Sequence, residues 1–145
     1  LAVMYLDLDG FKAVNDDFWH DIGDELLKKV ATYLKQCVRE SDSVGRLGGD
    51  EFCIILEGIV DREADAILVG EKILKQFLQP CRINNCELNI STSIGVAIYP
   101  DDGIELEILL KNADTAMFYA KKNGKNQLSF YSDLKPTGSR VGFQY

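Results

Sequence analysis

The chain has 145 residues, of which 46% are hydrophobic and 27% are charged, and its 16 basic and 23 acidic side chains give a formal net charge of −7. This composition predicts one folded domain with a real core and excludes a wholly disordered chain. The longest apolar run is far shorter than the about 20 residues that cross a bilayer, and the negative charge argues against a nucleic-acid binder, which needs a basic face.

The first predicted element is a strand from Leu1 to Leu6, because this run is apolar without alternation, as in a strand covered on both faces. It leads into Asp7-Leu8-Asp9-Gly10, and Gly10-Phe11-Lys12 opens a short helical stretch. A long helix is predicted from Asp21 to Arg39, with Asp21 as its N-cap, since apolar residues recur there at intervals of three and four. Because the chain begins directly on a strand, we expect it to be an N-terminally truncated fragment of a longer protein.

A hairpin is predicted after this helix. Its strands, Ser43 to Leu47 and Glu51 to Leu56, are joined by Gly48-Gly49, and glycines suit the tight turns that need positive φ. A second amphipathic helix is predicted from Arg62 to Leu78, ahead of Pro80. The apolar residues assigned to its face are Ala64, Ile67, Leu68, Leu74 and Leu78.

Another hairpin is predicted in the last part of the chain. It turns at Asn84-Asn85, and its second strand runs from Cys86 to Tyr99. A third long helix is predicted from Glu105 to Lys122 and a short strand from Gln127 to Tyr131. The residues expected in the buried stripe of that helix are Leu109, Ala113, Ala116, Met117 and Ala120. Residues 132–145 are expected to form a linker or a disordered tail.

The order of these elements predicts an α+β fold. Hairpins between helices impose antiparallel pairs, so we expect helices that flank a mixed, mainly antiparallel sheet, in one domain of residues 1–131. The four cysteines have no metal-ligand spacing, and the single histidine is far from them in sequence. Reduced thiols in the cytoplasm are therefore expected, while tethering of the parent protein to a membrane is left open.

Two pairs of acidic residues are candidate ligands of a metal ion. Asp7 and Asp9 close the first strand, and Asp50 and Glu51 follow the twin glycines. If the hairpin pairs beside the first strand, these carboxylates converge at one edge of the sheet, and Mg²⁺ would relieve their repulsion. The alternative is that Asp9 and Asp50 are turn residues. The spacing alone leaves both interpretations open.

Two further groups of residues have both a functional and a structural interpretation. Lys12 and the backbone around it, with Lys121 and Lys125 near the end of the last helix, could hold phosphates, but terminal lysines also offset a helix dipole. A polar group near the second helix could contact a purine edge, but such residues also cap helices. Its members are Asn15, Asp16, Asp17, His20, Asp21 and Asp24.

Four segments together resemble the GGDEF family of diguanylate cyclases. They are Asp7-Leu8-Asp9-Gly10-Phe11-Lys12 with Asn15-Asp16, His20-Asp21-Ile22-Gly23-Asp24-Glu25, Arg46-Leu47-Gly48-Gly49-Asp50-Glu51-Phe52, and Ala120-Lys121-Lys122-Asn123-Gly124-Lys125-Asn126. The resemblance covers residues 1 to about 131. It implies a ferredoxin-like palm related to nucleotidyl cyclases, and condensation of two GTP molecules into cyclic di-GMP and two pyrophosphates.

The resemblance also implies roles for particular residues. The ligands of Mg²⁺ or Mn²⁺ would be Asp7, the carbonyl of Leu8, Asp50 and Glu51. The residues that bind GTP would be Gly10, Phe11, Lys12, Asn15, His20, Asp24, Lys121 and Lys125. Either Asp50 or Glu51 would act as the catalytic base. Arg39 and Asp42 match the RxxD site of the family, where the product would bind and inhibit turnover.

The resemblance further implies a homodimer, because one domain holds one GTP. An upstream sensor domain and a downstream phosphodiesterase domain are expected partners in the parent protein. Trp19 stands where the family usually has glycine. Lys125 stands where arginine is common, and a lysine cannot bind a phosphate through two parallel hydrogen bonds as the arginine guanidinium does. The alternative is an inactive domain that binds GTP or cyclic di-GMP as a regulatory module, and a purely structural interaction domain is the third possibility.

Overall fold

The structure, a computed structural model, describes residues 1–17 and 20–134. Its elements in chain order are β1 (Ala2–Asp9), α1 (Phe11–Asp17), α2 (His20–Cys37), β2 (Ser43–Gly48), β3 (Glu51–Leu56), α3 (Arg62–Gln76), β4 (Cys81–Ile83), β5 (Cys86–Leu88), β6 (Ser91–Ile98), α4 (Leu106–Lys122), β7 (Leu128–Phe130) and a 3₁₀ helix (Tyr131–Asp133).

Five strands form one mixed sheet in the order β2-β3-β1-β6-β7, while β4 and β5 form a separate two-stranded sheet. The central strand β1 pairs antiparallel with both β3 and β6, whereas β6 and β7 are parallel. The predicted α+β fold, with a mainly antiparallel sheet flanked by helices, is confirmed.

The two faces of β1 pack against different helices, because successive side chains of a strand point to opposite sides. The even-numbered residues of β1 from 2 to 8 belong to the larger core, together with residues of α1, α2 and α3. Val3 lies on the other face and packs with Leu109 of α4. The alternation places Asp7 and Asp9 on this second face, the one that α4 covers.

Helix α4 lies very close to the sheet. A Cβ atom on Gly95 of β6 would collide with the backbone of Ala113 and Met117, so this crossing requires glycine. The five predicted residues of the buried stripe are all buried. Since the start of α4 packs on the first half of β1, its last turn brings Lys121 to Asp7.

The buried face of α3 differs from the predicted one. Its buried residues are Ala66, Gly70 and Ile73. Leu68 and Leu78, which the periodicity placed on the apolar face, are 61% and 70% exposed. Two of the buried residues are small, and a Cβ atom on Gly70 would collide with the Leu128 side chain. A hydrophobicity pattern gives little weight to alanine and glycine, so the predicted face was wrong at Ala64, Ile67, Leu68 and Leu78, whereas Leu74 packs partly buried against the core.

The predicted strand from Cys86 to Tyr99 is two strands. β5 pairs with β4 across the predicted turn at Asn84-Asn85, whose φ values are 48° and 68°, and β6 pairs with β1. The chain changes partner between β5 and β6, which a continuous apolar pattern does not reveal. Several boundaries also differ. β1 continues to Asp9, Asp21 lies inside α2 rather than at its N-cap, and α2 and α3 end at Cys37 and Gln76, each two residues before the predicted end.

Packing continues past residue 131, where the domain was predicted to end, because the Leu134 side chain is buried. The boundary itself stays a prediction, and residues 135–145 of the expected tail lie outside the described part. Over residues 1–17 and 20–134, no helix has the length and apolar character needed to span a membrane.

Candidate active site

Acidic residues meet where β1 ends and β3 begins. Asp7 lies opposite Glu51 in the antiparallel register, and the Leu8 N–H donates to the Asp50 carbonyl oxygen at 3.2 Å. The hairpin therefore pairs beside the first strand, as the predicted convergence requires. The structure thus brings together Asp7, Leu8, Asp50 and Glu51 at one edge of the sheet.

The carboxylate of Asp7 is in an unfavourable environment. Burial raises the pKa of Asp7 to about 7, a hydrogen bond to Asp50 and repulsion from Asp50 add to the shift, and Lys121 opposes it. The raised pKa means that the Asp7 carboxyl holds its proton to higher pH than an ordinary aspartate. When both are ionised, Asp7 Oδ1 is buried with no hydrogen-bond partner among the described residues. A cation would satisfy that oxygen and relieve the repulsion.

Glu51 contacts a second set of polar side chains on the α4 side of the sheet. Burial raises the pKa of the Tyr5 hydroxyl on β1, and the neighbouring carboxylates of Asp114, Glu51 and Asp7 add to the shift. Burial, and then Glu51, also raise the pKa of Asp114 on α4. The Glu51 carboxylate therefore lies near a hydroxyl group on β1 and a like charge on the facing helix.

Asp9 is a buried, hydrogen-bonded carboxylate. Ser91 Oγ donates to Asp9 Oδ2 at 2.7 Å, Ser93 Oγ donates to Oδ1 at 2.8 Å, and the Asn126 N–H donates to Oδ2 at 3.1 Å. The interpretation of Asp9 as a turn residue is wrong, since it is the last residue of β1 and its side chain joins β1 to β6 and to the loop after α4.

Lys121 supplies positive charge to the acidic edge. Its Nζ lies 3.4 Å from Asp7 Oδ2 and 3.4 Å from Asp9 Oδ1. An effect on the helix dipole alone does not account for this position, because the ammonium group reaches both carboxylates of β1.

In the described part of the chain, no group of three or more His, Cys, Asp or Glu side chains is arranged to hold a metal ion by itself.

The twin glycines position the acidic pair of β3. Gly49 has φ 50°, a left-handed conformation that favours glycine. Arg46 Nε donates to the Gly49 carbonyl at 2.9 Å, and the strand register shifts between Arg46 and Gly48. This bulged turn starts β3 at Glu51, directly opposite Asp7.

The residues expected to contact guanine lie on α1 and α2. The Asn15 amide oxygen lies against Gly23, where a Cβ atom would collide with it. Asp24 lines a cavity of about 470 Å³ between α2 and the β2–β3 hairpin, a volume typical of small-molecule sites. Trp19 and the side chain of His20 lie outside the described residues.

The other expected phosphate contacts lie on two loops at the end of β1. Gly10 is the turn residue between β1 and α1, and α1 begins with the buried Phe11 and the exposed Lys12. Lys125 is exposed on the loop after α4, and the neighbouring Asn126 bonds to Asp9. Both loops are therefore anchored at the same end of β1.

The expected inhibitory pair lies at the opposite end of β3. Asp42 accepts the Arg39 N–H at 2.8 Å and the Glu57 N–H at 3.1 Å, and Arg39 Nη2 donates to the Glu57 carbonyl at 2.9 Å. The length of β3 separates this turn from Glu51 by about 20 Å. Asp42 and Arg39 also line a cavity of about 270 Å³ beside α3.

The sequence pattern did not identify four polar residues at this site. They are Tyr5, Ser91, Ser93 and Asp114. The two serines share the face of Asp9 only because of the register between β1 and β6, which pairs Asp9 with Ser91. Tyr5 sits in a run of apolar residues and gave no separate signal.

The sequence profile described as "Diguanylate cyclase, GGDEF domain" matches residues 1–127. The chain is 48% identical over 131 residues to MucR of Pseudomonas aeruginosa, a bifunctional diguanylate cyclase/cyclic di-GMP phosphodiesterase, which covers 90% of this chain and 19% of MucR. It is 41% identical over 132 residues to the cyclic di-GMP phosphodiesterase NbdA of the same species, which covers 91% of this chain and 17% of NbdA. The chain thus spans less than a fifth of either relative.

A solved structure has the same architecture. The crystal structure of the GGDEF domain of TpbB (YfiN) from Pseudomonas aeruginosa matches with a TM-score of 0.86 and 35% sequence identity, over 89% of this chain and 80% of that chain. The palm-like arrangement of sheet and helices is therefore shared with a known domain.

Proposed function

The chain belongs to the GGDEF-domain family, and on that premise we propose that it is a diguanylate cyclase domain, which condenses two GTP molecules into cyclic di-GMP and two pyrophosphates. The observation that carries the proposal is the convergence of Asp7, Asp50 and Glu51 at one edge of the sheet. Within the described residues, a buried oxygen of Asp7 has no hydrogen-bond partner there. A site of this kind suits a cation and a polyphosphate.

The donor set fits Mg²⁺ or Mn²⁺. Mg²⁺ is commonly held by one or two carboxylates together with substrate phosphates, and not by a cage made of protein alone. Asp7, the carbonyl of Leu8 and Asp50 would hold the ion, with Glu51 as a further ligand. When bound, the ion neutralises phosphate charge and lowers the pKa of the attacking hydroxyl.

The residues of the chain then have separate tasks. The 3′-oxygen of one GTP bonds to the α-phosphorus of the other, and the bond from that phosphorus to pyrophosphate breaks. Asp50 and Glu51 are the two carboxylates that can accept the hydroxyl proton. Lys121, Lys12 and Lys125 would hold the β- and γ-phosphates, with backbone N–H groups at residues 10 and 11.

The guanine base of each GTP and the second GTP molecule need further contacts. Asn15 and Asp24 would recognise guanine, because an amide and a carboxylate complement the donors and acceptors of its edge, and His20 belongs to the same segment. Since one domain holds one GTP, two copies would meet face to face in a homodimer. Bringing the two halves together supplies much of the catalysis. A sensor domain and a phosphodiesterase domain in the parent protein would control that meeting.

Product inhibition is proposed at Arg39 and Asp42. The Arg39 side chain is 61% exposed, so its guanidinium can bind the phosphates of cyclic di-GMP, while the Asp42 carboxylate fixes the turn. The neighbouring cavity beside α3 would receive part of the nucleotide.

The test is to incubate the chain, alone and fused to a dimerising coiled coil, with GTP and Mg²⁺ over a range of protein concentrations. We expect one cyclic di-GMP for every two pyrophosphates, measured by chromatography. Asp50→Ala should abolish the product, and Glu63→Ala, which removes an exposed carboxylate from α3, should retain it. The absence of cyclic di-GMP at every concentration would remove the proposal.

A second candidate is an inactive domain that binds GTP or cyclic di-GMP as a regulatory module. It is favoured by the 41% identity to NbdA, which is named as a cyclic di-GMP phosphodiesterase, and by Trp19, a bulky residue where the family usually has glycine. This candidate predicts nucleotide binding by calorimetry without turnover, and turnover gained in Trp19→Gly.

A further inference from the structure

Asp9 has no assigned role in the proposed reaction, although it is buried, with only 6% of its surface exposed. Its carboxylate connects several parts of the chain. Burying a carboxylate is costly unless hydrogen bonds and a counter-charge compensate it. Both oxygens of Asp9 are fixed by hydroxyl donors from β6, Ser91 and Ser93. The counter-charge comes from Lys121 on α4.

The loop after α4 is also tied to Asp9. The Asn126 N–H donates to Asp9 Oδ2 at 3.1 Å. Gln127 Nε2 donates to the Asn123 carbonyl at 2.7 Å and to the Ala120 carbonyl at 3.2 Å, which closes the loop onto the end of α4. The loop that carries Lys125 is therefore held both by the end of α4 and by the Asp9 carboxylate of β1.

Lys121 is shared between two carboxylates with different environments. Its Nζ is 3.4 Å from an oxygen of Asp7 and 3.4 Å from an oxygen of Asp9. Asp7 is a proposed metal ligand, and a cation bound to it would compete with the ammonium group for its charge. Asp9 would remain as the anionic partner of Lys121, because the serines of β6 hold both of its oxygens in place.

We propose that Asp9 is a positioning residue, which keeps Lys121 and the loop of residues 123–127 directed at the triphosphate while Asp7 holds the metal ion. The inference rests on the proposed function, since it assigns the phosphate contacts to Lys121 and Lys125. Asp9 contacts neither the nucleotide nor the metal ion, and acts through the lysine and the loop.

The test measures the affinity for 3′-deoxy-GTP with Mg²⁺ by calorimetry, because this nucleotide lacks the hydroxyl that reacts. Asp9→Asn keeps the size and an acceptor oxygen but removes the charge. We expect its affinity to fall by about tenfold, as for other residues that orient a ligand group. Lys121→Gln should lose at least as much, and Asp9→Asn should add less than its full tenfold loss to that variant, because part of its effect passes through Lys121.

Two further variants separate positioning from a general loss of structure. Asp102→Asn also replaces a buried aspartate, which accepts the Ile98 N–H at 2.8 Å at the far end of β6, and its affinity should match the wild type. The double variant Ser91→Ala and Ser93→Ala loosens Asp9 without removing it and should weaken binding by about threefold. It carries the test if Asp9→Asn does not fold.

Steady-state kinetics give an independent measure. Asp9→Asn should raise the KM for GTP by about tenfold and change kcat by less than about threefold, because the variant loses phosphate binding and keeps the metal carboxylates. Wild-type affinity in Asp9→Asn, or a full tenfold loss added to Lys121→Gln, would overturn this proposal and leave the proposed function intact. Failure of the wild-type chain to bind 3′-deoxy-GTP would instead overturn the proposed function, and this proposal with it.

Discussion

The two ends of β3 differ in how their charges are compensated. At its start, the carboxylates of Asp7 and Asp50 repel each other, and the pKa of Asp7 is raised to about 7. At its end, the carboxylate of Asp42 accepts two backbone N–H groups and lies 3.7 Å from the Arg39 guanidinium. The first end gains from a cation, whereas the second is complete without a ligand.

The two ends of β3 therefore give unequal support to the idea that a ligand binds there. Like charges held together lower the stability of the folded chain, and such arrangements are concentrated where function needs them. A fully hydrogen-bonded turn is equally well explained by the fold. The proposed role of Arg39 and Asp42 in inhibition therefore depends on the family resemblance, whereas the acidic end also has support in its own geometry.

The largest expected effect is on the acidic end. Asp50→Ala removes a proposed metal ligand and should lower kcat/KM by about 1,000-fold, or ~4 kcal/mol of transition-state stabilisation. Cyclic di-GMP formation measures it, with Glu63→Ala as the matched control. Activity equal to the wild type in Asp50→Ala would show that the two ends do not differ in this way.

At the other end of β3 the expected effect is on stability. Asp42→Ala leaves two backbone N–H groups without their acceptor, and the Asp42 side chain is 2% exposed, so the free energy of unfolding should fall by about 2–3 kcal/mol. Urea denaturation measures the change. Asp42→Asn keeps one acceptor oxygen and should lose about half as much. A loss below about 0.5 kcal/mol in Asp42→Ala would mean that this turn is not structural.

Arg39→Ala separates inhibition from stability at the same end. The exposed ion pair contributes little, so the free energy of unfolding should change by less than about 1 kcal/mol, and the initial rate should stay the same. The cyclic di-GMP concentration that halves the rate should rise by about tenfold, equal to ~1.4 kcal/mol. Progress curves measure it, and a wild-type chain that does not slow as product accumulates would refute the assignment.

The smallest expected effect is on the pH dependence of thermal stability at the start of β3. The pKa of Asp7 rises from 3.8 to about 7 on folding, so the folded state binds this proton more tightly than the unfolded state. The resulting stabilisation is present below pH 3.8 and is lost as the pH rises through about 7. Asp7→Asn should therefore raise the Tm of the metal-free chain at pH 8 by about 2–4 °C, equal to ~1 kcal/mol.

Thermal unfolding at pH 5 and pH 8 in EDTA measures this effect. The difference in Tm between wild type and Asp7→Asn should shrink at pH 5, where the wild-type carboxyl is protonated. A lower Tm for Asp7→Asn at pH 8 would contradict the repulsion between Asp7 and Asp50.

The sequence predicts those features that local pattern determines. The stripe of α4 and the twin-glycine hairpin follow from periodicity and turn chemistry. The convergence of Asp7 with Glu51 follows only if the hairpin pairs beside the first strand, a long-range pairing that the structure supplies. The buried face of α3 does not, because two of its three buried residues are Ala66 and Gly70, to which a hydrophobicity pattern gives little weight. The environment of Asp9 does not either, since its serine partners lie 82 and 84 residues away and only the strand register brings them together.

The most direct test of the central claim is a titration with Mn²⁺ in the presence of 3′-deoxy-GTP, followed by NMR, because a paramagnetic ion broadens the signals of nearby nuclei most strongly. We predict that the amide signals of Asp7, Leu8 and Asp50 broaden first, and that those of Arg39 and Asp42, at the far end of β3, broaden last. Broadening that begins at Arg39 and Asp42, or that is unchanged in Asp50→Ala, would contradict a shared metal site at the start of β3.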